Sequence, residues 1–283
     1  MYQRGTVTAA AESVHMSQPA ASALLKDLES RVGFALFRRD NRRLHLTSQG
    51  RALIPEVLNA LTGMEAVDRL ATEIRRGASD RLVVGAVAVA AAMLLPQALV
   101  QVRQTCPAIT FSVRAGSALE IVEMAVDHRI DLGVIIGPAA ADDRVAKEPI
   151  APVSLYAILR PEHPLSSLPK LTLEAVAPHG LVVLSSALPA GAATKRALEN
   201  RKLAYEPLME VAQSFMACEL VGQGLGVAIV ESLGARYAQR LGLTCRHLMT
   251  MQDSAIALVM PKDRPLQGAG LLLRAALSEA VLA

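Results

Sequence analysis

The fold of this chain is decided by residues 5–22, which read GTVTAAAESVHMSQPAAS. The stretch contains two helical runs with a break between them. Thr6 or Thr8 can cap the first run and Ser17 can cap the second, because their side-chain oxygens accept from N–H groups that a first turn leaves unpaired. Pro19 falls in the first turn of the second run, where a missing N–H costs little. The sequence therefore predicts two short helices in close succession.

The second helix is predicted to bury one face and to be followed by a β-hairpin. Its apolar residues recur at helical spacing and are Ala20, Leu24, Leu25 and Leu28. Gly33 is expected to end the helix as a C-cap, since glycine adopts the left-handed conformation without strain. Two short runs then flank Asp40-Asn41, a pattern typical of a hairpin.

A long helix is predicted from about residue 49 to 76, with Thr47-Ser48 as its cap and Pro55 inside it. Its single apolar stripe consists of Leu53, Val57, Leu61, Met64, Val67 and Ile74. A long helix with one such stripe needs a partner helix, so we expect a dimer. Residues 77–80 are interpreted as a linker.

After the linker, strands and helices alternate, which indicates a parallel sheet with crossover helices. The first elements are predicted at Leu82–Val87 (strand), Met93–Thr105 (helix), Ile109–Ala115 (strand), Ser117–His128 (helix) and Leu132–Ile136 (strand). Residues 138–154 contain three prolines and are expected to cross into a second lobe. Later strands are predicted at Leu155–Leu159, Leu181–Leu184, Leu208–Ala212, Val227–Val230 and Ala255–Met260, and later helices at Leu173–Val176, Ala193–Glu199, Phe215–Gly222 and Leu271–Leu282.

The positive charge of the chain is concentrated at its beginning. Of 29 basic and 26 acidic residues, seven basic and four acidic ones lie in residues 1–50, which leaves 22 of each in the remainder. A basic module attached to a neutral one suggests nucleic-acid binding, although a solvated basic face is the plainer alternative. Three widely spaced cysteines form no metal-type pair and fit a reducing cytoplasm. No apolar run reaches the roughly 18 uncharged residues of a membrane span, and no signal peptide is recognisable.

The opening stretch resembles the LysR-type transcriptional regulators, whose helix-turn-helix reads approximately G-S-x-T-x-A-A-x-x-L-x-x-S-Q-P-A-[VL]-S. Further matches to that family are Leu28-Glu29, Gly33, Leu36-Phe37-Arg38-Arg39 and Leu46-Thr47-Ser48-Gln49-Gly50. The resemblance implies an α/β chain with a winged helix-turn-helix, a long linker helix and a two-lobed effector domain similar to periplasmic solute-binding proteins. The expected boundaries are 1–47 for the DNA-binding domain, 48–80 for the linker and dimerisation helix, and 81–283 for the effector domain, with lobe I at about 81–148 and 252–283 and lobe II at about 149–251.

In such a regulator the start of the second helix would face base edges in the major groove. Ser17, Gln18 and Ser22 are polar groups at that end, and glutamine can bind adenine in bidentate fashion. The full set of expected DNA-binding residues is Ser17, Gln18, Pro19, Ser22, Lys26, Arg39, Arg42 and Arg43. The plainer interpretations are a helix cap for Ser17 and a solvated turn for the arginines.

Two departures from the family bear on DNA binding. Members usually begin with an additional first helix under the reading pair, whereas here Met1 stands just before Gly5, so we expect a truncated DNA-binding module. Ala23 follows Ser22 where many members carry arginine, which would remove one phosphate contact. A small-molecule-binding module that has lost DNA binding through this truncation is therefore the alternative function.

The effector is expected in the crevice between the lobes, beside strand C-termini and helix N-termini. Residues 88–90 are interpreted as the loop after the first strand, and Gly116-Ser117 as a place for an anion. The expected contacts are Ser117, Ser214, Gln213 and Ser186, with simple N-capping as the alternative for each serine. Residues 213–221 look like the subgroup that regulates opine and amino-acid catabolism, which implies an amino acid or its conjugate as effector.

Other functions are disfavoured by the motifs. Gly222-Gln-Gly-Leu-Gly226 follows a predicted helix and precedes a strand, so we interpret it as a C-cap and turn instead of a dinucleotide fingerprint. The histidines show no ligand spacing, and no nucleophile motif is present, so an enzyme, a metal and a cofactor are not expected. The predicted partners are double-stranded DNA, a small-molecule effector, further copies in a homodimer or homotetramer, and RNA polymerase, with no membrane partner and a cytoplasmic location.

Overall fold

The computed structural model describes residues 6–13, 15–40, 43–75, 81–138 and 142–281. The chain divides into two compact units, Met1–Ala78 and Ser79–Ala283. Each unit is described separately below.

The first unit is a winged helix-turn-helix followed by a long helix, as predicted. Helices α1 and α2 pack through the small apolar cluster of Val7, Ala11 and Ala21, with Leu44 of the hairpin against it. The two strands of the hairpin pair in antiparallel fashion. The elements are α1 (Val7–Ser13), α2 (Gln18–Val32), β1 (Phe37–Asp40), β2 (Arg43–Leu46) and α3 (Ser48–Arg75).

Three predicted caps of this unit, Ser17, Gly33 and Thr47, are confirmed. The Ala20 N–H donates to Ser17 Oγ at 3.4 Å. Gly33 ends α2 with φ of +82°, the left-handed conformation that favours glycine. The Gly50 N–H donates to Thr47 Oγ1 at 2.9 Å, so Thr47 caps α3. Local sequence thus determines where these helices begin and end.

The predicted buried face of α2 is wrong for Leu24 and Leu28, whereas Ala20 and Leu25 are half-buried. Leu24 and Leu28 are 57% and 46% exposed, whereas Ala21 is 4% exposed. Helix α1 contacts α2 through its small residues, and within the described residues nothing packs over the two leucines. Periodicity identified the apolar positions but not the face that a neighbour covers.

Helix α3 leaves its apolar stripe open to solvent in the single chain. Val57, Leu61, Met64 and Val67 are between 39% and 69% exposed. Pro55 lies inside the helix without ending it. Within their own unit, these four side chains therefore have no covering partner among the described residues.

The second unit is built on a mixed sheet, which has eight strands in the described part of the chain in the order β4-β3-β5-β10-β6-β9-β7-β8. The elements of lobe I and the crossing strand are β3 (Arg81–Ala86), α4 (Ala88–Met93), α5 (Leu95–Thr105), β4 (Thr110–Ala115), α6 (Ala118–Val126), β5 (Leu132–Gly137) and β6 (Val145–Leu159). The later elements are α7 (Leu173–Val176), β7 (Leu181–Leu184), α8 (Pro189–Glu199), β8 (Met209–Val211), α9 (Ser214–Gly222), β9 (Val227–Glu231), α10 (Ser232–Arg240), β10 (Thr244–Pro261) and α11 (Ala269–Ala280).

Two long antiparallel strands, β6 and β10, join two groups of parallel strands. Strands β3, β4 and β5 are parallel to one another in lobe I, and β7, β8 and β9 are parallel in lobe II. One apolar cluster contains residues of both lobes, including Val134 and Val230. The α/β architecture and the two lobes agree with the predicted fold class.

Three features differ from the predicted elements. Residues 145–154 belong to β6 instead of forming a separate crossing, because Pro149 and Pro152 lie beside register shifts in the pairing with β10, where a proline is tolerated. Strand β10 begins at Thr244, and α10 was not predicted. Residues 88–90 are the first turn of α4 instead of a loop.

Candidate DNA-binding and effector-binding sites

The start of α2 presents an ordered polar face. Gln18 Nε2 donates to Ser22 Oγ at 2.9 Å, and Lys26 follows one turn later on the same face. Ser17, Gln18, Pro19 and Lys26 are exposed. The predicted residues of this helix are therefore brought together on one accessible surface, where amide, hydroxyl and ammonium groups can reach bases and phosphates.

The hairpin arginines are described only in part. The backbones of Arg39 and Arg43 lie in β1 and β2, but their side chains and the whole of Arg42 lie outside the described residues. Arg38 is exposed on β1. The predicted phosphate contacts of the hairpin therefore have no described geometry.

Glu29 ties the hairpin to α2, a role that the sequence analysis did not identify. Its Oε1 accepts from the Leu36 N–H at 2.6 Å and the Phe37 N–H at 3.1 Å. A carboxylate that accepts two backbone bonds holds the segment firmly. The sequence places Glu29 in a family motif but does not reveal this role, because no neighbouring residue indicates which N–H groups it accepts from.

The C-termini of the two groups of parallel strands face each other. Gly137, at the end of β5, pairs with Ala255 of β10, which also pairs with Pro152 of β6. Glu231, at the end of β9, pairs with Leu155 of β6, three residues further along. Helices α4, α6, α8, α9 and α10 each begin within five residues of such a strand end. This edge therefore gathers helix N-termini, which favour anions.

The lobes touch beside this edge. A Cβ on Gly137, whose φ is +137°, would lie 2.8 Å from Pro189 Cγ at the start of α8. Helices α4 and α10 also pack together. A side chain at position 137 would therefore force Pro189 or the neighbouring backbone to shift.

Ser117 caps α6 in a complete capping box. The Glu120 N–H donates to Ser117 Oγ at 3.3 Å, and the Ser117 N–H donates to Glu120 Oε2 at 2.7 Å. These bonds hold the pKa of Glu120 below its ordinary value. The anion expected at Gly116-Ser117 is thus the chain's own carboxylate, and the plainer capping role of Ser117 is present.

Ser214 is buried, at 5% exposure, and has a partner within the protein. Its hydroxyl lies 2.8 Å from Glu231 Oε1 and 2.7 Å from Oε2. Glu231 also accepts from the Gly234 N–H at 3.2 Å, and burial raises its pKa. This buried carboxyl group joins the first turns of α9 and α10. The sequence analysis missed Glu231, although an acid at the end of a buried apolar strand is a visible signal.

The other two predicted effector residues are accessible. Ser186 and Gln213 are exposed, and Gln213 is the N-cap residue of α9 without a side-chain capping bond. Ser154 and Thr250, which pair on the crossing strands, place their hydroxyls 3.0 Å apart, and Ser232 Oγ accepts from the Ser154 N–H at 2.9 Å. These hydroxyls add polar groups that the sequence analysis did not name.

Two general expectations concern the whole chain. Among the described residues, no group of three or more His, Cys, Asp or Glu side chains could hold a metal ion. Within the same residues, no helix is both long and apolar enough to cross a membrane.

Gly222–Gly226 forms a helix end and turn before β9, with positive φ at Gly224 and Gly226, as predicted.

Comparison with known proteins assigns the family. The LysR substrate binding domain matches residues 75–281, and the bacterial regulatory helix-turn-helix of the lysR family matches residues 1–51. The chain belongs to the LysR family. It is a DNA-binding transcription regulator with an effector-binding domain. Since the helix-turn-helix match begins at residue 1, the alternative of a binding module without DNA binding is not favoured, and the expected truncation is not confirmed.

Relatives span most of this LysR-family chain. It is 28% identical to the regulatory protein NocR of Agrobacterium tumefaciens over 99% of this chain and 93% of the relative. It is 27% identical to the transcriptional regulator DgcR of Pseudoalteromonas over 83% and 80% of the two chains. The crystal structure of CbnR, a LysR family transcriptional regulator, has a TM-score of 0.72 at 17% identity, covering 97% of this chain and 93% of that one. The last likeness establishes the fold alone.

Proposed function

We propose that this regulator reads duplex DNA through Gln18, Ser22 and Lys26 of α2, together with Ser17 and Pro19 and with the hairpin residues Arg39, Arg42 and Arg43. The observation that carries the proposal is the exposed Gln18–Ser22 bond, which orders an amide at the helix N-terminus. A glutamine amide can bind adenine in bidentate fashion, and Gln18 Nε2 keeps a second hydrogen for that contact. A crystal structure of CbnR complexed with its target DNA belongs to the same fold class.

Matched lysine variants test this proposal. Lys26→Ala should weaken binding of the chain's own upstream DNA by about tenfold at low salt, because one phosphate contact is lost. Lys170→Ala removes the same charge from an exposed position of the second unit and should leave affinity unchanged. The measurement is fluorescence anisotropy at stated salt concentrations. Equal affinities of the two variants would contradict the proposed reading face.

The functional assembly is proposed to be a homodimer or homotetramer joined through α3. The support is the exposure of Val57, Leu61, Met64 and Val67, since an apolar stripe of this length is unfavourable in water. In this proposal residues 1–47 bind DNA, 48–80 form the dimerisation helix and linker, and 81–283 bind effector in the cytoplasm. Met64→Glu should produce monomers in analytical ultracentrifugation, whereas Glu56→Gln, on the same helix, should not.

The effector is proposed to be an amino acid or amino-acid conjugate bound at the facing strand ends. Helix N-termini other than that of α6 favour its carboxylate, since Glu120 occupies the start of α6. Ser186 and Gln213 are the proposed direct contacts, and Ser117 and Ser214 are proposed to act by holding the first turns of α6 and α9. Gln213 and Ser186 are accessible for direct contact, whereas Ser214 would act through Glu231. Binding that prefers one arrangement of the lobes would then bias the conformation of the regulator.

A glutamine pair on one helix tests the effector site. Gln213 stands at the start of α9, and Gln223, also exposed, stands at its end. Gln213→Ala should weaken binding of a responsive amino acid by about tenfold, since a hydrogen bond to a charged group is lost. Gln223→Ala should bind normally. The measurement is calorimetry after a thermal-shift screen of amino acids and their conjugates. A screen in which only sugars or aromatic acids stabilise the protein would refute the proposed effector class.

A further inference from the structure

A cavity lies in lobe I at the opposite ends of its strands from the proposed effector site. It has a volume of about 740 Å³ and is bounded by the beginnings of β3, β4 and β5 and by residues 264–270 before and within α11. Effectors of this fold are expected at the carboxyl ends of the strands, whereas this cavity adjoins their amino ends. It is therefore separate from the crevice, and its size falls within the roughly 300–1,000 Å³ of small-molecule pockets.

The lining of the cavity combines positive charge with apolar surface. Arg81 and Arg264 contribute two guanidinium groups, and Asp131 contributes one carboxylate. Asp131 is already engaged: its Oδ1 lies 3.3 Å from Arg264 Nη2, and its Oδ2 accepts from the Val83 N–H at 2.8 Å. Arg264 remains 54% exposed, so its other donors face solvent or a ligand. Among the described residues that line the cavity, two therefore carry a positive formal charge and one a negative charge.

The remaining walls favour the same kind of ligand. The accessible apolar residues Pro107, Pro265 and Leu266 give it an apolar side. The 12-residue helix α11 begins at the cavity without an acidic residue in its first turn and without a side-chain cap. Guanidinium groups bind carboxylates through paired hydrogen bonds, while an apolar wall takes up a hydrocarbon body.

We propose that this cavity is a second binding site, for a small organic carboxylate with an apolar body. Arg264 binds the carboxylate, Arg81 adds positive charge, and the Pro107, Pro265 and Leu266 side chains contact the hydrocarbon part. The site lies where the chain enters the second unit, since Arg81 is the first residue of β3.

The cysteines provide a direct readout of occupancy. Cys106 lines the cavity and is partly exposed. Burial raises the pKa of Cys218 to about 12 and that of Cys245 to about 11, so both thiols resist alkylation near neutral pH. Alkylation of Cys106 by N-ethylmaleimide, followed by peptide mass spectrometry on the full chain, therefore reports on this cavity alone.

The probe is 4-phenylbutyrate, with the neutral 4-phenylbutyramide as its matched control. At about ten times its Kd, the carboxylate should slow Cys106 alkylation by roughly tenfold, whereas the amide should not. Arg264→Gln should raise the Kd of the probe by about tenfold or more. Arg274→Gln, on α11 but paired with Glu148 away from the cavity, should leave the Kd unchanged. Arg264→Lys keeps a charge beside Asp131 and should retain part of the affinity if the glutamine variant does not fold.

Three results would overturn the proposal. The first is alkylation that is unaffected by the carboxylate, and the second is equal protection by carboxylate and amide. The third is protection of Cys106 that increases with protein concentration when no probe is present. That result would assign the cavity to contact with a second copy of this chain. Gln213→Ala should leave protection intact, which separates this site from the proposed effector crevice.

Discussion

Ser17 in the first unit and Ser117 in the second cap helices with the same hydroxyl chemistry, yet they leave different helix beginnings. Three residues after Ser17 stands Ala20, so no carboxylate of that turn approaches the N-terminus of α2. Three residues after Ser117 stands Glu120, whose carboxylate bonds back to the Ser117 N–H at 2.7 Å. The start of α2 is open to a phosphate, whereas the start of α6 already holds an anion. A capping serine therefore predicts a helix boundary, and the third residue after it decides whether an external anion can bind there.

Placing a carboxylate at the start of α2 should remove this difference between α2 and α6. Of the changes considered, it should have the largest effect. Ala20→Glu would build a capping box with Ser17 and put negative charge at the proposed DNA surface. DNA affinity should fall by about 10- to 100-fold at low salt, because phosphates would meet a like charge. The measurement is anisotropy with the upstream duplex.

The control for this variant is Ser30→Glu, which adds the same charge at an exposed position near the C-terminal end of α2. It should reduce DNA affinity much less than Ala20→Glu. Equal losses would mean that overall charge, and not the helix beginning, governs binding.

Ser214 sharpens the comparison because it is a third serine at a helix beginning, with a buried acid as its partner. Ser214→Ala would remove a hydroxyl that contacts both oxygens of Glu231. An unsatisfied buried group should cost about 1–3 kcal/mol in the free energy of unfolding. Chemical denaturation monitored by circular dichroism measures this loss, and Ser186→Ala, at an exposed position, should be nearly neutral.

The contribution of Glu231 to stability should depend on pH in the opposite direction to that of Glu120. Because burial raises the pKa of Glu231, the folded state holds this proton more tightly, and its contribution to stability declines as pH rises above the unfolded value of 4.5. Glu231→Gln keeps the shape without that charge and should gain stability relative to the parent protein as pH rises from 4 to 7. Denaturation midpoints across this range test it, and a constant difference would contradict the assignment.

The smallest expected effect belongs to the capping box of α6. The pKa of Glu120 is lowered by its bonds to Ser117, so its contribution is present above the ordinary value of 4.5 and is lost as pH falls through the lowered one. Glu120→Ala should slightly reduce the loss of stability that the protein shows as pH falls. The variant should also be stabilised by sulfate more than the parent protein is. Glu123→Ala, one turn later and exposed, is the control. Thermal unfolding in sulfate and chloride provides the measurement.

Sequence patterns were reliable where the deciding contacts are local. Ser17, Gly33 and Thr47 mark helix ends because a cap bonds within its own turn. Sequence patterns failed where the contact that decides the structure is made by a residue distant in the chain. Leu24 and Leu28 have helical spacing but remain exposed, and β10 is one strand from Thr244 to Pro261 because β6 pairs along most of its length. The family's motif likewise indicated the reading helix, while the two bonds from Glu29 to the hairpin became visible only in three dimensions.

By itself, the sequence determined the family, the helix-turn-helix, the alternation of strands and helices and the basic character of the first fifty residues. Composition, periodicity and capping are properties of neighbouring residues, so no folded chain is needed to recognise them. The tertiary structure alone decided which serines are accessible, that Glu231 joins α9 to α10, and that Arg264 and Asp131 meet at the amino edge of lobe I. Those facts depend on residues far apart in the chain, whose distances are set by strand register and packing.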